Sequence, residues 1–212
     1  MKLQMEKYLK PTAIIDCNNP SIQEKTKDLT KGQENIIEKA KSLFYFVRDE
    51  IKYNIYLPKS LPEHFRASNT LSKRQGYCVQ KAVLLVALAR AAGIPAGLGF
   101  ARIRNNHLPE RTLKRLGINV SHCHSFLELY LDGNWVKATP AFDLKMCEKN
   151  RVIPVEFDGR NDAIFHSHNQ DGKLHIEYLV DLGHDFDDLP LNRLRELVTQ
   201  QIGSWFLEPL KR

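Results

Sequence analysis

The longest apolar run in the chain, residues 82–89, contains only Ala, Val and Leu. It lies within residues 77–92, where apolar positions extend nearly all the way round a helix, as in a helix buried on every side. Gly93 and Pro95 end this pattern, because glycine suits a helix C-terminus and proline cannot continue the hydrogen-bond ladder. The run is too short to cross a bilayer. It therefore predicts a buried central helix.

Other segments alternate between helical and strand patterns. Residues 34–51 repeat apolar positions at helical spacing, and shorter helices are predicted at 21–30, 108–116, 142–150 and 191–206. Residues 53–57 are β-prone and 96–104 alternate like a strand, while 123–131 and 135–139 flank a tight turn typical of a hairpin. A second hairpin is predicted between 164–166 and 174–180. With no repeat or linker, these elements predict one α+β domain over 1–212.

Charge and cysteine content narrow the class of protein. The net charge is +6, but the basic residues are scattered among acids, so neither a nucleic-acid partner nor a membrane partner is expected. The four cysteines, Cys17, Cys78, Cys123 and Cys147, show no CxxC spacing, which argues against a zinc knuckle or thioredoxin motif. The first residues carry no apolar leader pattern. We therefore expect a cytoplasmic protein.

Cys78 stands at the start of the predicted central helix. Unpaired N–H groups and the positive end of the helix dipole favour a thiolate there, which makes this cysteine a candidate nucleophile. The alternative is a small apolar cysteine within a core helix.

His124 opens the predicted strand 123–131 and shares one face with Phe126, Glu128 and Tyr130. If that face packs on the cysteine helix, the imidazole can accept the Cys78 proton and form a thiolate–imidazolium pair. The alternative is a structural histidine near a strand end. Two further alternatives are metal sites at His122 with His124, or at His166 with His168.

The sequence resembles the transglutaminase-like superfamily in two places. The cysteine helix ending in Ala-Ala-Gly-Ile-Pro-Ala resembles the nucleophile helix, and His124 followed by a strand, a turn and Trp135 resembles the histidine hairpin. The segment 46–53 resembles the helix that leads into the domain, so the match spans about 34–143, with extensions packed on both sides. The resemblance implies a papain-like α+β fold and a Cys-His-Asp triad without cofactor or metal. It also implies acyl transfer or hydrolysis of a peptide or small-molecule amide through a thioester.

One position departs from the family pattern. The family places an aspartate four residues after the strand tryptophan, where this chain has Thr139 before Pro140. Asp143 could orient His124 instead, Thr139 could orient a Cys-His dyad, or the chain could be a catalytically inactive binding domain. Asp143 is favoured because a carboxylate supports a charged pair better than a hydroxyl, although it could also cap the following helix.

The oxyanion of an acyl-transfer reaction requires two hydrogen-bond donors. The backbone N–H of Cys78 is the natural first donor, and Gln75 or Asn69 is the candidate second. Residues after Asn150, including His166, His168, Asp158 and Asp162, could line the cleft or support the sheet. The pattern leaves the particular substrate and the oligomeric state open.

Overall fold

The helix that begins at Cys78 passes through the centre of the molecule. A computed structural model describes residues 5–108, 110–117 and 119–202. In it this helix spans Cys78–Ala91, and every residue from Val79 to Arg90 is buried. The predicted central helix is therefore confirmed. We call it the cysteine helix.

The remaining elements surround the cysteine helix. The other α-helices are Pro20–Leu29, Ile36–Tyr45, Ala67–Lys73, Glu110–Leu116, Leu144–Asn150 and Leu191–Ile202, with short 3₁₀ turns at Lys7–Leu9 and Pro62–His64. The strands are β1 (Lys52–Tyr53), β2 (Gln75–Gly76), β3 (Ala96–Asn105), β4 (Val120–Leu131), β5 (Asn134–Ala138) and β6 (Ile176–Asp181). None of the described helices combines the length and the apolar composition needed to cross a bilayer.

The larger sheet is antiparallel and has the order β5-β4-β3-β6. The predicted hairpin of β4 and β5 is confirmed, with Tyr130 opposite Trp135. Leu127 and Leu129 on β4 are fully buried and belong to the same apolar cluster as the cysteine helix. This packing fixes the helix against the strand that carries His124.

The second predicted hairpin is wrong. β6 pairs with β3, with Tyr178 opposite Ile103, and residues 164–166 form no strand. The turn at residues 169–173 does form, because Asn169 Oδ1 accepts hydrogen bonds from the N–H groups of Asp171 and Lys173. Pairing beyond it stops at a single bridge between His168 and Leu174. The long free edge of β3 offers more hydrogen bonds than a short hairpin could.

The predicted helix over residues 34–51 changes form near its end. The α-helix stops at Tyr45 and continues as a π-helical segment, Phe46–Glu50. The chain then enters β1, which pairs in parallel with β2. The predicted strand 53–57 is thus reduced to Lys52–Tyr53. Because β2 directly precedes Tyr77 and Cys78, this small sheet positions the start of the cysteine helix.

Candidate active site

Cys78 occupies the first residue of the cysteine helix. Its Sγ lies 4.0 Å from the carbonyl oxygen of Cys123. The backbone N–H of Ser125 also lies near the sulfur and lowers the pKa of the thiol. These two residues flank His124 on β4. β5 ends opposite Leu127, so it does not cover this part of the strand. The sulfur is therefore held against the backbone of the histidine strand, while the predicted hydrogen bond between Cys78 and the His124 imidazole stays a prediction.

Gly76 allows the close approach that this geometry requires. A Cβ at this position would lie 3.2 Å from Gln80 Cβ, Lys81 Cγ and Thr70 Cγ2. Such contacts are tighter than ordinary van der Waals packing. A side chain at residue 76 would therefore require Gln80, Lys81 or Thr70 to shift by a few tenths of an ångström.

The Cys78 thiol differs from the expected thiolate. Burial raises its pKa, and this effect outweighs the N–H groups of Ser125 and Val79 and the ammonium of Lys59, which all lower the pKa. The start of the helix lowers the Cys78 pKa through the Val79 N–H, as predicted, but desolvation raises this pKa by more. The resting sulfur is therefore a neutral thiol.

His124 is 2% exposed and also neutral. Its ring packs on Phe165 at a centroid distance of 4.8 Å and faces Tyr178 at 6.1 Å. Burial among these rings lowers the pKa of His124 to about 3. Its Nε2 atom is buried without a hydrogen-bond partner in the described structure. The resting imidazole is therefore uncharged, as is the Cys78 thiol.

Thr139 lies directly after β5 and is 1% exposed. Its backbone N–H donates to Ala163 O at 2.9 Å, but among the described residues its Oγ1 has no hydrogen-bond partner. This hydroxyl lies beside the Tyr178 hydroxyl without the geometry of a full hydrogen bond, and it lowers the Tyr178 pKa, which burial raises to about 12. Tyr178 thus borders both the His124 ring and the Thr139 hydroxyl.

Asp143 has a well-defined structural role. Its Oδ1 accepts the N–H of Met146 at 3.0 Å and caps the helix Leu144–Asn150, while its Oδ2 accepts the N–H of Tyr53 at 2.7 Å. The carboxylate therefore joins β1 to this helix, which matches the alternative in which it acts as a cap. That Asp143 also orients the His124 imidazole stays a prediction.

Of the two side chains proposed as oxyanion donors, Asn69 uses its amide N–H elsewhere, whereas Gln75 is held through its amide oxygen. Gln75 Oε1 accepts a hydrogen bond from Asn54 Nδ2 at 2.9 Å, and Asn69 Nδ2 donates to Glu63 O at 2.7 Å. His168 Nδ1 lies 3.0 Å from Ser167 Oγ, and both His166 and His168 are exposed. The side chain of His122 lies outside the described residues.

Sequence reasoning missed the aromatic side chains around the imidazole. Phe165 and Tyr178 come from segments far along the chain, and no local spacing connects them with His124. Lys81 carried a signal that could have been used, because a lysine inside an otherwise apolar helix requires buried partners. Lys59 carried no such signal, because it lies in an irregular loop.

A central helix that begins with a cysteine, packed on an antiparallel sheet that carries a histidine, defines the papain-like class of α+β folds. Within this class the chain belongs to the transglutaminase-like superfamily, whose family model matches residues 23–140. No curated protein matches the chain.

Several solved structures are similar to this chain. A candidate cysteine protease from Cytophaga hutchinsonii has 18% identity and a TM-score of 0.49, covering 84% of this chain and 56% of its own. The periplasmic domain of TgpA from Pseudomonas aeruginosa has 18% identity and a TM-score of 0.47, with coverages of 66% and 47%. A candidate protease from Parabacteroides distasonis has 16% identity and a TM-score of 0.42, with coverages of 63% and 24%. This chain thus spans about half or less of each of these chains.

Proposed function

We propose that the protein cleaves or transfers the acyl group of a peptide or small-molecule amide through a thioester on Cys78. The observation that carries this proposal is the contact of the Cys78 sulfur with the backbone on both sides of His124. His124 is the proposed proton acceptor, and Thr139 is the proposed orienting group.

The proposed reaction begins from the neutral pair. As the sulfur bonds to the amide carbon, the Cys78 proton passes to the imidazole, and the carbonyl π electrons move onto the oxygen. The N–H of Cys78, at the start of the helix, is the proposed donor to this oxyanion. The carbon–nitrogen bond then breaks, and the amine leaves with the proton from His124. Water or another amine attacks the thioester and restores the thiol.

Thr139 is preferred to Asp143 as the orienting group. Both Asp143 oxygens already accept backbone N–H groups, whereas Thr139 Oγ1 and His124 Nε2 both lack partners in the described structure. We propose that Nε2–H donates to Thr139 Oγ1 in the substrate complex. This bond would leave Nδ1 to accept the thiol proton.

Acylation by p-nitrophenyl acetate tests the proposal. We expect an acetyl thioester on Cys78, located by peptide mass spectrometry and released by hydroxylamine as the hydroxamate. C78A should abolish it, and H124A should slow it by about 10²-fold or more, the usual range for general acid–base catalysis. C123S is the matched control, because it removes the neighbouring thiol and should leave acylation of Cys78 intact.

A second candidate function is a catalytically inactive binding domain. It is favoured by the raised pKa of Cys78 and the low pKa of His124, which together give no ion pair at rest. The same experiment separates the two functions. Acetylation of Cys78 no faster than that of free glutathione, and insensitive to H124A, would favour the binding domain.

The proposed compartment is the reducing cytoplasm. All four cysteines are free in the structure, which suits a compartment where thiols stay reduced.

A further inference from the structure

Lys59 is a buried lysine in a loop. It lies between β1 and the turn Pro62–His64 and is only 5% exposed. Removing an ammonium group from water is costly unless polar groups or aromatic faces compensate. Here Nζ donates to Ile55 O at 2.5 Å and lies 4.9 Å from the centroid of the Tyr77 ring. The loop therefore holds a charge against the residue that precedes Cys78.

Hydrogen bonds attach the loop that carries Lys59 to the elements around it. Asn54 Nδ2 donates to Gln75 Oε1 at 2.9 Å, next to the start of the cysteine helix. Tyr56 Oη lies 3.1 Å from Thr112 Oγ1 on the helix Glu110–Leu116. These contacts keep the ammonium on the same side of the fold as the sulfur.

Lys59 is also the charged side chain whose field acts most strongly on the thiol. Its effect lowers the pKa of Cys78, against the larger effect of burial. The other titratable groups around the sulfur are uncharged near neutral pH. Burial raises the pKa values of the acidic groups and lowers that of the imidazole. These groups are Tyr53, Tyr77, Tyr178, Cys123 and His124. A buried ammonium has a strong effect in such an apolar setting.

We propose that Lys59 supplies the positive charge that stabilises the Cys78 thiolate, in place of an imidazolium. This inference rests on the proposed nucleophilic role of Cys78. Lys59 acts through its field on the sulfur, so it is a positioning residue that need not touch the substrate. His124 accepts the thiol proton as the sulfur attacks, and Lys59 offsets the negative charge that develops on the sulfur as that proton leaves.

The pH dependence of Cys78 alkylation by iodoacetamide tests this role without any substrate. Cys78 modification is followed by peptide mass spectrometry, and the midpoint of the rate against pH is compared between variants. We expect K59M to raise the midpoint by about one pH unit, which is about tenfold slower alkylation below it. K59R should stay within about threefold of wild type. K73M, the same substitution at an exposed lysine of the helix Ala67–Lys73, should change nothing.

Three outcomes would overturn the inference: an unchanged midpoint in K59M, an equal shift in K73M, or a larger upward shift in H124A than in K59M. K59Q serves if K59M fails to fold, as judged by circular dichroism. Acetylation of Cys78 by p-nitrophenyl acetate separates this inference from the proposed function. If Cys78 is acetylated but K59M does not shift the alkylation midpoint, only the role of Lys59 is contradicted. If K59M shifts the midpoint but Cys78 is not acetylated, only the proposed reaction is contradicted.

Discussion

At the scale of single residues, the site is defined by two atoms without partners. His124 Nε2 and Thr139 Oγ1 are both buried and lack a hydrogen bond within the described structure. Leaving a buried polar group unpaired costs about 1–3 kcal/mol. A hydroxyl at residue 139 also brings no negative charge to offset desolvation of the imidazolium. Burial causes the low pKa of His124, and residue 139 supplies no negative charge that would oppose it.

Restoring the carboxylate should restore a titrating histidine. In T139D we expect the pKa of His124 to rise from about 3 by at least about two pH units, because an adjacent anion favours the imidazolium. Nuclear magnetic resonance of the imidazole C–H signals against pH measures this change. T139N is the matched neutral control and should leave the pKa low. A histidine that titrates equally in both variants would contradict the explanation.

At the scale of elements, the start of the cysteine helix depends on the π-helical segment Phe46–Glu50. Lys81 is fully buried, and its Nζ donates to Arg48 O at 2.9 Å and to Ile51 O at 2.6 Å. A neutral amine has two N–H donors, which suit these two carbonyls. Burial lowers the pKa of Lys81 to about 7, although the charge of Asp143 opposes this effect. Lys81 therefore ties the segment before β1 to the cysteine helix.

This buried amine should give the fold a characteristic pH dependence. The pKa of Lys81 is about 7 in the folded protein and about 10.4 in an unfolded chain, so between these values the unfolded chain binds more protons. The contribution of Lys81 to stability should therefore rise with pH across this window, on the order of 1 kcal/mol per pH unit. Urea unfolding of wild type and K81M at pH 7 and pH 9 measures this contribution. The wild-type minus K81M difference in the free energy of unfolding should be larger at pH 9 than at pH 7.

The absolute stability of K81M does not decide this prediction, because methionine also removes two hydrogen bonds. The matched control is K52M, which replaces an exposed lysine on β1 and should keep the wild-type slope. A wild-type minus K81M difference that stays constant between the two pH values would show that Lys81 does not titrate in this window.

At the scale of the whole molecule, the sequence predicted those features that short continuous segments determine. The cysteine helix, the hairpin with Trp135 and the superfamily could all be inferred from the sequence, because each is a continuous periodic segment. The pairing of β6 with β3 could not, since it depends on which strand edge remains free after folding. Asp143 was favoured by its charge alone, but the two N–H groups that occupy it come from β1 and from its own helix. The pairing of β6 with β3 and the contact of Asp143 with Tyr53 both join residues distant in sequence, whereas the cap on Met146 lies within three residues.

Arg90 links the extensions to the core, and it tests the prediction of one domain over 1–212. Its guanidinium extends from the end of the cysteine helix and donates to Ala96 O at 3.1 and 2.9 Å, to Lys10 O at 2.6 Å and to Asp187 O at 2.8 Å. Charged hydrogen bonds contribute about 1.5–3 kcal/mol each before compensation. We expect R90M to destabilise the protein by about 2–4 kcal/mol in urea unfolding.

Hydrogen exchange should show which segments lose stability in R90M. In R90M, exchange should accelerate around Lys10 and Asp187 together, because one side chain holds both segments. R66M is the matched control, since exposed Arg66 donates to Ala13 O at 3.3 Å and should contribute little. If the chain is one cooperative domain, R90M also lowers a single unfolding transition. Two separate transitions, with the core over 23–140 melting at its wild-type midpoint, would instead make the extensions independent units.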